Sequence, residues 1–223
     1  MYSNPAQETF DPWLRQMGFP FLRVGYSAGD TSKITVSQKR FLTNPDEDIT
    51  MPESEYKYLW DVPLAIYTKS GTVNIYSTQW LSTESGTFDL KITPDFVVLN
   101  YDYTNFVRVL YEGTILDDFQ RTLRNEPTSI SSFSRANFVL DYFVFAENTA
   151  LTGIDIEKTL DLTTFMADEV DFSVWTMFNQ GMSYIRQILK FTDSKEILDD
   201  YLQDLVQNYY NAAGWDQNLS NIR

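Results

Sequence analysis

The chain has 223 residues, of which 43% are hydrophobic and 16% aromatic, and this is enough for one large or two small packed cores. It carries 31 acidic against 17 basic residues, and the resulting net charge of −14 disfavours nucleic acid and anionic lipid as partners. It has no cysteine and no histidine, which excludes disulfides, thiolate nucleophiles, serine–histidine catalysis and the usual zinc clusters.

The amino-terminal segment predicts a short helix before the first strand. Asp11 suits the N-cap, Pro12 suits the first helical turn, and Gly18 suits the end of the helix. No apolar run here or later approaches the roughly 20 residues of a membrane-spanning helix, and residues 1–13 lack the apolar core of a signal peptide. We therefore expect neither a membrane span nor a targeting signal in this chain.

Alternation of apolar and polar residues predicts antiparallel strands in the first half of the chain. Phe21–Tyr26 and Lys33–Leu42 flank Ser27–Asp30, whose glycine and aspartate suit a hairpin turn. A later strand places four apolar residues on one face, namely Trp60, Val62, Leu64 and Ile66. Pro63 within that strand indicates an edge position or a bulge.

The hydrophobic period changes from two to about 3.6 near residues 96–103. Phe96–Leu99 is a continuous apolar run, typical of a strand that is covered on both faces. Asp102–Asn105 then offers N-cap residues before four apolar residues at helical spacing, namely Phe106, Val107, Leu110 and Tyr111. We interpret this stretch as the junction between an antiparallel β-sandwich, residues 21–102, and an α-helical domain, residues 103–223.

Helices are predicted throughout the second half. One spans about Ser131–Ala146, Asp155 caps a shorter one, and Asp171 begins a third. Asp193–Glu196 resembles a capping box that opens a fourth helix, which Gly214 closes. Consecutive antiparallel helices build hairpins and can start an α-solenoid-like domain. The predicted fold class is therefore a multidomain β-then-α arrangement, with the sandwich followed by α-helical hairpins.

Three acidic clusters are candidates for metal binding or acid–base chemistry. Asn44–Asp48 lacks the glycine at position six and the glutamate at position twelve that a calcium loop requires. The adjacent acids Asp117 and Asp118, and likewise Asp199 and Asp200, do not share a helix face and lie in polar stripes. The sequence therefore predicts solvated turns and helix faces here, and it nominates no catalytic, cofactor-binding or metal-ligating residue.

Five aromatic residues are a candidate sugar-stacking surface of a lectin-like sandwich: Tyr56, Tyr58, Trp60, Tyr76 and Trp80. Strand alternation instead explains Trp60 as a core residue, and this is the interpretation we favour. Near the carboxyl end, Asn218–Ser220 fits a glycosylation sequon, a motif that is used in extracellular proteins.

Several stretches of the chain resemble, in order and spacing, segments of one known protein family. Trp13–Pro20 resembles the signature that ends the family's catalytic domain, and Ser37–Leu42 with Tyr58–Leu64 resembles the sandwich that follows it. Asn100–Asp102 resembles the end of the family's "GYYRVNYD" strand, and Ser134–Asp141 resembles its "NRAQLIDDAF" helix. Ala213–Asp216 is similar to a later Gly-Trp segment. Taken together, these stretches resemble the aminopeptidase N family of zinc metallopeptidases, in its cell-surface subgroup.

The chain departs from the family pattern in Asp95–Leu99, where the family has glycine, two aromatics, arginine and valine, and in the helix that contains Ser134. Val98 stands where the family has an arginine, and Ser134 replaces an asparagine. The family's HExxH zinc helix and GxMEN loop would lie before Met1 and are absent from this sequence. The resemblance therefore implies a noncatalytic piece of a larger protein, with no cofactor of its own and with zinc in the parent.

The resemblance also implies a division of the chain and a role for each part. Residues 1–20 would be the tail of the catalytic domain, residues 21–102 a sandwich spacer, and residues 103–223 the first part of the helical C-terminal domain. The implied roles are spacing, control of substrate access and assembly in an extracellular or cell-surface type II membrane ectoenzyme that removes N-terminal amino acids from peptides.

The implied partners are the chain's own upstream catalytic domain, a peptide substrate bound through the parent, and a second copy in a possible homodimer. Nucleic acid is not among them. The alternative is a peptide- or protein-binding module from a catalytically inactive member of the family.

If the chain is such a piece, apolar residues that normally contact missing structure should be exposed. At the amino end these are Trp13, Met17 and Phe19. In the last helix, one stripe should cover the preceding helix, namely Ile197, Tyr201, Leu205 and Tyr209. A second stripe widens the apolar face, namely Leu198, Leu202, Val206 and Tyr210.

Overall fold

The computed structural model describes residues 5–213, in which strands precede most of the helices. The strands are β1 Pro20–Ser27, β2 Asp30–Arg40, β3 Val62–Ser70, β4 Val73–Leu81, β5 Ser85–Asp89, β6 Phe96–Leu99 and β7 Arg108–Tyr111. The α-helices are α1 Pro5–Arg15, α2 Thr114–Asn125, α3 Ser132–Phe145, α4 Thr149–Thr152, α5 Ile156–Leu162, α6 Phe172–Leu189 and α7 Ser194–Ala213. The β-then-α order predicted from the sequence is confirmed.

The first sheet has four strands in the order β5-β2-β1-β7. β1 and β2 form the predicted hairpin around Ser27–Asp30, with Val24 opposite Val36. β7 joins the other side of β1 in parallel, with Phe21 opposite Arg108 and Val24 opposite Tyr111. The sheet is therefore mixed, whereas the sequence predicted antiparallel pairing alone.

The strand β7 corrects the predicted start of the helical region. Phe106, Val107, Leu110 and Tyr111 were expected on a helix, but Arg108–Tyr111 is a strand, and the first helix after it begins at Thr114. A pattern of four apolar residues fits both the period of two of a strand and the period of about 3.6 of a helix. The pairing of this segment with β1 determines that it forms a strand. Because β1 lies far away in the sequence, no local signal identifies it as the partner.

The second sheet has three strands in the order β4-β3-β6, so β3 is its central strand. Pro63 is nevertheless tolerated because β6 pairs with β3 only from Ile66 to Lys69. On that unpaired side the Pro63 carbonyl accepts a hydrogen bond of 2.8 Å from Asn105 Nδ2. Proline has no N–H to donate, and here no strand requires one.

The N-caps predicted at Asp155 and Asp171 are confirmed. The Asp155 side chain accepts from Lys158 N at the start of α5, and the Asp171 side chain accepts from Ser173 N at the start of α6. Ser131 caps α3 by accepting from Ser134 N. The last helix ends at Ala213, and the predicted Gly214 stop and the Asn218–Ser220 sequon lie outside the described residues.

The first helix starts earlier than predicted. α1 runs from Pro5 to Arg15 with Pro12 inside it, so Asp11 is not an N-cap and instead pairs with Arg15 at 3.1 Å. Gly18 follows the helix with φ of +88°, a conformation that favours glycine. The predicted stop is thus at the right place and the predicted start is wrong.

Strands and helices share one continuous hydrophobic core. The fully buried Phe145 of α3 illustrates this, because its ring centroid lies 5.9 Å from that of Phe21 in β1 and 5.8 Å from that of Phe41 after β2. A buried phenylalanine of this kind stabilises a fold by about 3–5 kcal/mol relative to alanine. The orientation of α3 on the first sheet is therefore fixed by tight packing.

The last helix buries a face that differs in part from the predicted one. Leu202 and Leu205 are buried, and the Tyr209 ring lies 5.3 Å from Trp175 of α6. Ile197 is 72% exposed, so the prediction that it covers the preceding helix is wrong. The buried face of α7 thus combines Leu205 and Tyr209 from the first predicted stripe with Leu202 from the second, and the first turn of the helix is exposed.

Candidate functional site

One member of each acidic pair singled out from the sequence is engaged with a nearby side chain. Asp118 lies 2.7 Å from Arg121 and accepts a 3.1 Å hydrogen bond from Tyr26 Oη, and Asp199 pairs with Lys195. Within residues 5–213, no three acidic side chains approach closely enough to hold a metal ion. Asp118 and Asp199 therefore form ordinary helix and surface ion pairs.

The Asn44–Asp48 loop satisfies its own backbone. Asp46 N donates to Asn44 Oδ1 at 3.1 Å, and Thr50 N donates to Asp48 Oδ1 at 2.8 Å. These are local Asx turns, which agree with the solvated turn expected from its composition.

The five candidate stacking aromatics do not form one surface. Trp60 and Tyr58 are buried, which confirms the assignment of Trp60 to the core. Tyr76 and Trp80 are exposed on β4, and the Tyr76 ring stacks on Tyr67 at 4.7 Å. The structure thus divides the set between the core, one face of an edge strand and, for the half-buried Tyr56, the loop before β3.

An exposed apolar surface lies on α1 and the turn after it. Phe10 is 59% exposed, Leu14 79% and Met17 63%, and we refer to these three residues as the amino-terminal surface. Their spacing of four and three residues matches one side of a helix. Three large apolar side chains this exposed, and this close in sequence, are typical of a surface that another polypeptide covers.

The opposite side of α1 is firmly attached. Trp13 Nε1 donates to the Asp61 carbonyl at 3.1 Å, and its ring lies 6.1 Å from Trp60. Phe19 packs on Phe106 at 4.8 Å. The prediction that Trp13 and Phe19 would be exposed is therefore wrong, because the chain itself supplies their partners, whereas the prediction for Met17 is confirmed.

Gln16 is the main polar anchor of this segment. Its Nε2 donates to the Leu59 carbonyl at 2.9 Å, and its Oε1 accepts from Tyr58 N at 3.0 Å and from Ser54 Oγ at 2.9 Å. One side chain thus satisfies backbone groups of the loop that leads into β3. The Trp13 and Gln16 positions of the signature hold the amino-terminal surface in a fixed position on the sheets.

A second set of motif residues forms the turn that follows β6. Asn100 and Asp102 both have positive φ, 57° and 56°, which asparagine and aspartate tolerate better than most residues. The Asn100 amide closes the turn by accepting from Asn105 N at 2.9 Å and donating to the Asn105 carbonyl at 3.0 Å. Asp102 N donates to Ser134 Oγ at 3.0 Å, which links this turn to α3.

Asp141 of α3 connects the same helix to β7. Its carboxylate accepts from Arg108 Nη1 and from Val109 N, both at 2.8 Å, and from Asn137 Nδ2 at 3.2 Å. Burial raises the pKa of Asp141 to about 6, and the Arg108 guanidinium partly offsets that effect. Because the carboxyl group is fully buried, it can hold the fold together but cannot reach a substrate.

The third link is between Arg135 of α3 and Glu169, two residues before the N-cap of α6. Arg135 also donates to the Pro127 carbonyl at 3.1 Å. The Glu169 carboxylate accepts from Val170 N and Asp171 N, and its carbonyl accepts from Trp175 Nε1. We refer to the polar contacts of Asp102, Ser134, Asp141 and Arg135 as the junction network.

The junction network assigns structural roles to residues that the sequence could only mark as motif positions. Arg108 and Glu169 were missed, although both complete ion pairs with motif residues. Arg108 is the one charged residue in the apolar run Phe106–Tyr111, and this isolated charge could have identified it. Nothing around Glu169 distinguishes that residue from a solvated acid. Val98, at the position of a family arginine, is buried in β6.

None of the helices in residues 5–213 is both long and apolar enough to cross a lipid bilayer.

Comparison with known proteins gives consistent matches. Residues 96–222 match the family model of the ERAP1-like C-terminal domain. Rat glutamyl aminopeptidase is 32% identical over 224 residues, which cover 99% of this chain and 22% of the rat protein. Aminopeptidase A of Gloydius brevicauda is 27% identical over 99% of the chain and 22% of its own length. Bovine aminopeptidase N is 26% identical over 88% of the chain and 20% of its own length. The chain thus spans about a fifth of the length of these relatives.

Proposed function

Because the chain belongs to the aminopeptidase N family and represents part of its C-terminal region, we propose that it is the noncatalytic support of an upstream peptidase domain. In this proposal the parent protein removes N-terminal amino acids from peptides, at the cell surface or outside the cell as a type II ectoenzyme. The chain acts as a spacer, limits substrate access and contributes to assembly, including a possible homodimer.

The zinc ion of the family does not fit the residues of this chain. Zinc sites use imidazole, thiolate or clustered carboxylate ligands, and the sequence has no histidine and no cysteine. In the part of the chain between Pro5 and Ala213, the acidic side chains do not cluster in threes either. We therefore assign zinc to the upstream domain and derive no catalytic step from this chain.

The observation that carries the proposal is the amino-terminal surface. Phe10, Leu14 and Met17 are exposed although the remainder of the segment is attached through Trp13 and Gln16. An attached helix with an uncovered apolar side is suited to receive the polypeptide that precedes it. In this proposal residues 1–20 belong with the catalytic domain, and the spacer extends from Phe21 to Tyr111, because β7 completes its first sheet.

A chimera tests this role. The matching region of rat glutamyl aminopeptidase is replaced by this chain, and release of N-terminal glutamate and resistance to limited proteolysis are measured. We expect a folded and active chimera. The double change Leu14→Asp and Met17→Asp should lower activity and protease resistance at least about tenfold, because it places two charges in an apolar contact.

Val73→Asp is the matched control, since Val73 is also exposed but lies on β4. It should leave the chimera unchanged. Full activity of the Leu14 and Met17 double variant would contradict the proposed docking role.

A further inference from the structure

An apolar cleft of about 540 Å³ lies between α3, α5, α6 and the first turns of α7. Six of its lining residues define its shape: Phe143, Ile156, Tyr184, Ile185, Ile188 and Leu198. We refer to it as the helical cleft. At its mouth Tyr184 is 58% exposed and Ile188 is 56% exposed, so apolar surface is open to solvent. The volume is within the range of ligand-binding pockets.

The floor of the helical cleft is rigid. Gly181 of α6 lies so close to α3 that a Cβ atom there would sit 2.3 Å from Phe143. Phe143 in turn meets Phe178 edge-on at 5.6 Å. Because α3 and α6 cannot move closer together at this contact, the cleft cannot close by a further approach of these two helices.

The charged residues that line the cleft in the described part of the chain are both acidic, Glu147 and Asp155. Asp155 is occupied as the N-cap of α5. Glu147 makes no hydrogen bond or ion pair within 4 Å with any residue between 5 and 213. Partial burial raises its pKa, and the Arg108 guanidinium partly offsets that effect. A partly desolvated carboxylate at the edge of an apolar cleft is complementary to a cation attached to an apolar body.

We propose that the helical cleft binds a peptide segment that carries an apolar side chain next to a lysine or arginine. The apolar side chain would lie between Ile156 and Ile188, and the cation would face Glu147. The proposal rests on the proposed function in taking a peptide as the occupant. It adds that the peptide must carry an apolar side chain beside a positive charge, and that residues of this chain alone form the site that recognises both.

Charge disfavours a second copy of the chain as the occupant. A copy with a net charge of −14 would bring further acidic surface to an acidic rim. A basic and apolar peptide relieves the same repulsion and covers the apolar lining. The peptide is therefore the occupant that the lining favours.

Binding to the 223-residue chain itself tests the proposal independently of any catalytic domain. The probes are three acetylated and amidated tetrapeptides, Leu-Phe-Xaa-Leu, with lysine, norleucine or glutamate as Xaa, and affinity is measured by calorimetry. We expect the lysine peptide to bind at least about tenfold more tightly than the norleucine peptide, and the glutamate peptide to bind most weakly.

Two variants separate the charge from the apolar contact. Glu147→Gln should remove the preference for lysine over norleucine without weakening the norleucine peptide. Ile188→Asp should weaken all three peptides at least about tenfold. Glu157→Gln is the matched control, because Glu157 is exposed on α5 and does not line the cleft, and it should change nothing.

Several results would overturn the proposal. These are equal affinities for the three peptides, no binding at millimolar concentration, or an unchanged lysine preference in Glu147→Gln. A dimer seen by sedimentation and abolished by Ile188→Asp would show that a second copy occupies the cleft. The chimera could still be active in each case, so failure here is distinguishable from failure of the proposed function.

Discussion

Arg135 and Glu169 form a buried bidentate ion pair, with Nε to Oε2 at 2.6 Å and Nη2 to Oε1 at 3.0 Å. Their side chains are 8% and 2% exposed, respectively. The pair connects the first turn of α3 to the segment that immediately precedes α6. Removing one partner of such a pair is far more costly than removing a surface pair, because the other charge remains buried.

We predict that Glu169→Ala lowers the free energy of unfolding by about 3–5 kcal/mol. The variant leaves Arg135 without its carboxylate and also removes the acceptor for Val170 N and Asp171 N. Urea denaturation followed by tryptophan fluorescence measures the change. Glu53→Ala, at an exposed position, should differ from the unmodified chain by less than about 0.5 kcal/mol. A similar small effect at Glu169 would contradict the prediction.

Asp141 predicts a specific pH dependence. Its pKa in the folded chain is raised by burial to about 6, above the usual value of 3.8. The folded state therefore holds this proton more tightly than the unfolded state, and the associated stability is present below about pH 4 and lost as pH rises through 6. We expect the destabilisation caused by Asp141→Asn to be larger at pH 4.5 than at pH 7.5.

Denaturation of the unmodified chain and of Asp141→Asn across this pH range measures the difference between their free energies of unfolding. The other acids titrate in both proteins, so their contribution cancels in this difference. A constant difference between the two proteins, or one that grows as pH rises, would show that the Arg108 guanidinium outweighs burial.

Gly181 should not tolerate a larger side chain. Gly181→Ala places a methyl group 2.3 Å from the Phe143 ring, so one helix must shift, at a cost of about 1–3 kcal/mol. Thermal unfolding measures the loss of stability. Gly25→Ala is the control, because the nearest atom to a Cβ there is the Glu112 carbonyl oxygen at an ordinary 3.7 Å. Equal melting temperatures for the two variants would show that α3 and α6 can separate at little cost.

Gln16→Ala should release α1 without unfolding the sheets. The change removes three hydrogen bonds and leaves the Tyr58 N–H and the Leu59 carbonyl without their side-chain partner, at a cost of about 1–3 kcal/mol. Hydrogen exchange in residues 5–15 should therefore accelerate about tenfold or more, while exchange in β1 remains slow. Gln7→Ala, on an exposed position of the same helix, should leave both rates unchanged.

Local signals in the sequence predicted much of the fold. The glycine and aspartate of Ser27–Asp30 identified the first hairpin, and the side chains of Asp155 and Asp171 identified two helix starts. These features depend on residues that are neighbours in the sequence. The start of α1 was missed because Pro12 is typical of a first helical turn, whereas in this structure it lies within the helix. The contacts of Trp13 and Gln16 with the sheets and the loop before β3 hold that helix in place.

Features that depend on distant partners were not predictable. Trp13 was expected to be exposed because Trp60 and the Asp61 carbonyl, which cover and bind it, are remote in the sequence. Likewise the sequence marked Asp141 only as part of a motif, because the Arg108 and Val109 groups that donate hydrogen bonds to its carboxylate belong to β7. The helical cleft could not be predicted, because it depends on how closely Gly181 allows two helices to approach.

The parallel pairing of β1 with β7 has a consequence for the order in which the molecule is made. β2 follows β1 immediately and can pair with it as a local hairpin, whereas Arg108 pairs with Phe21 across about two-fifths of the chain. During synthesis, one edge of β1 therefore lacks its native strand until the ribosome has passed Tyr111. An open strand edge is a template for incorrect pairing, so the interval before β7 emerges is when a nascent chain is most exposed to aggregation.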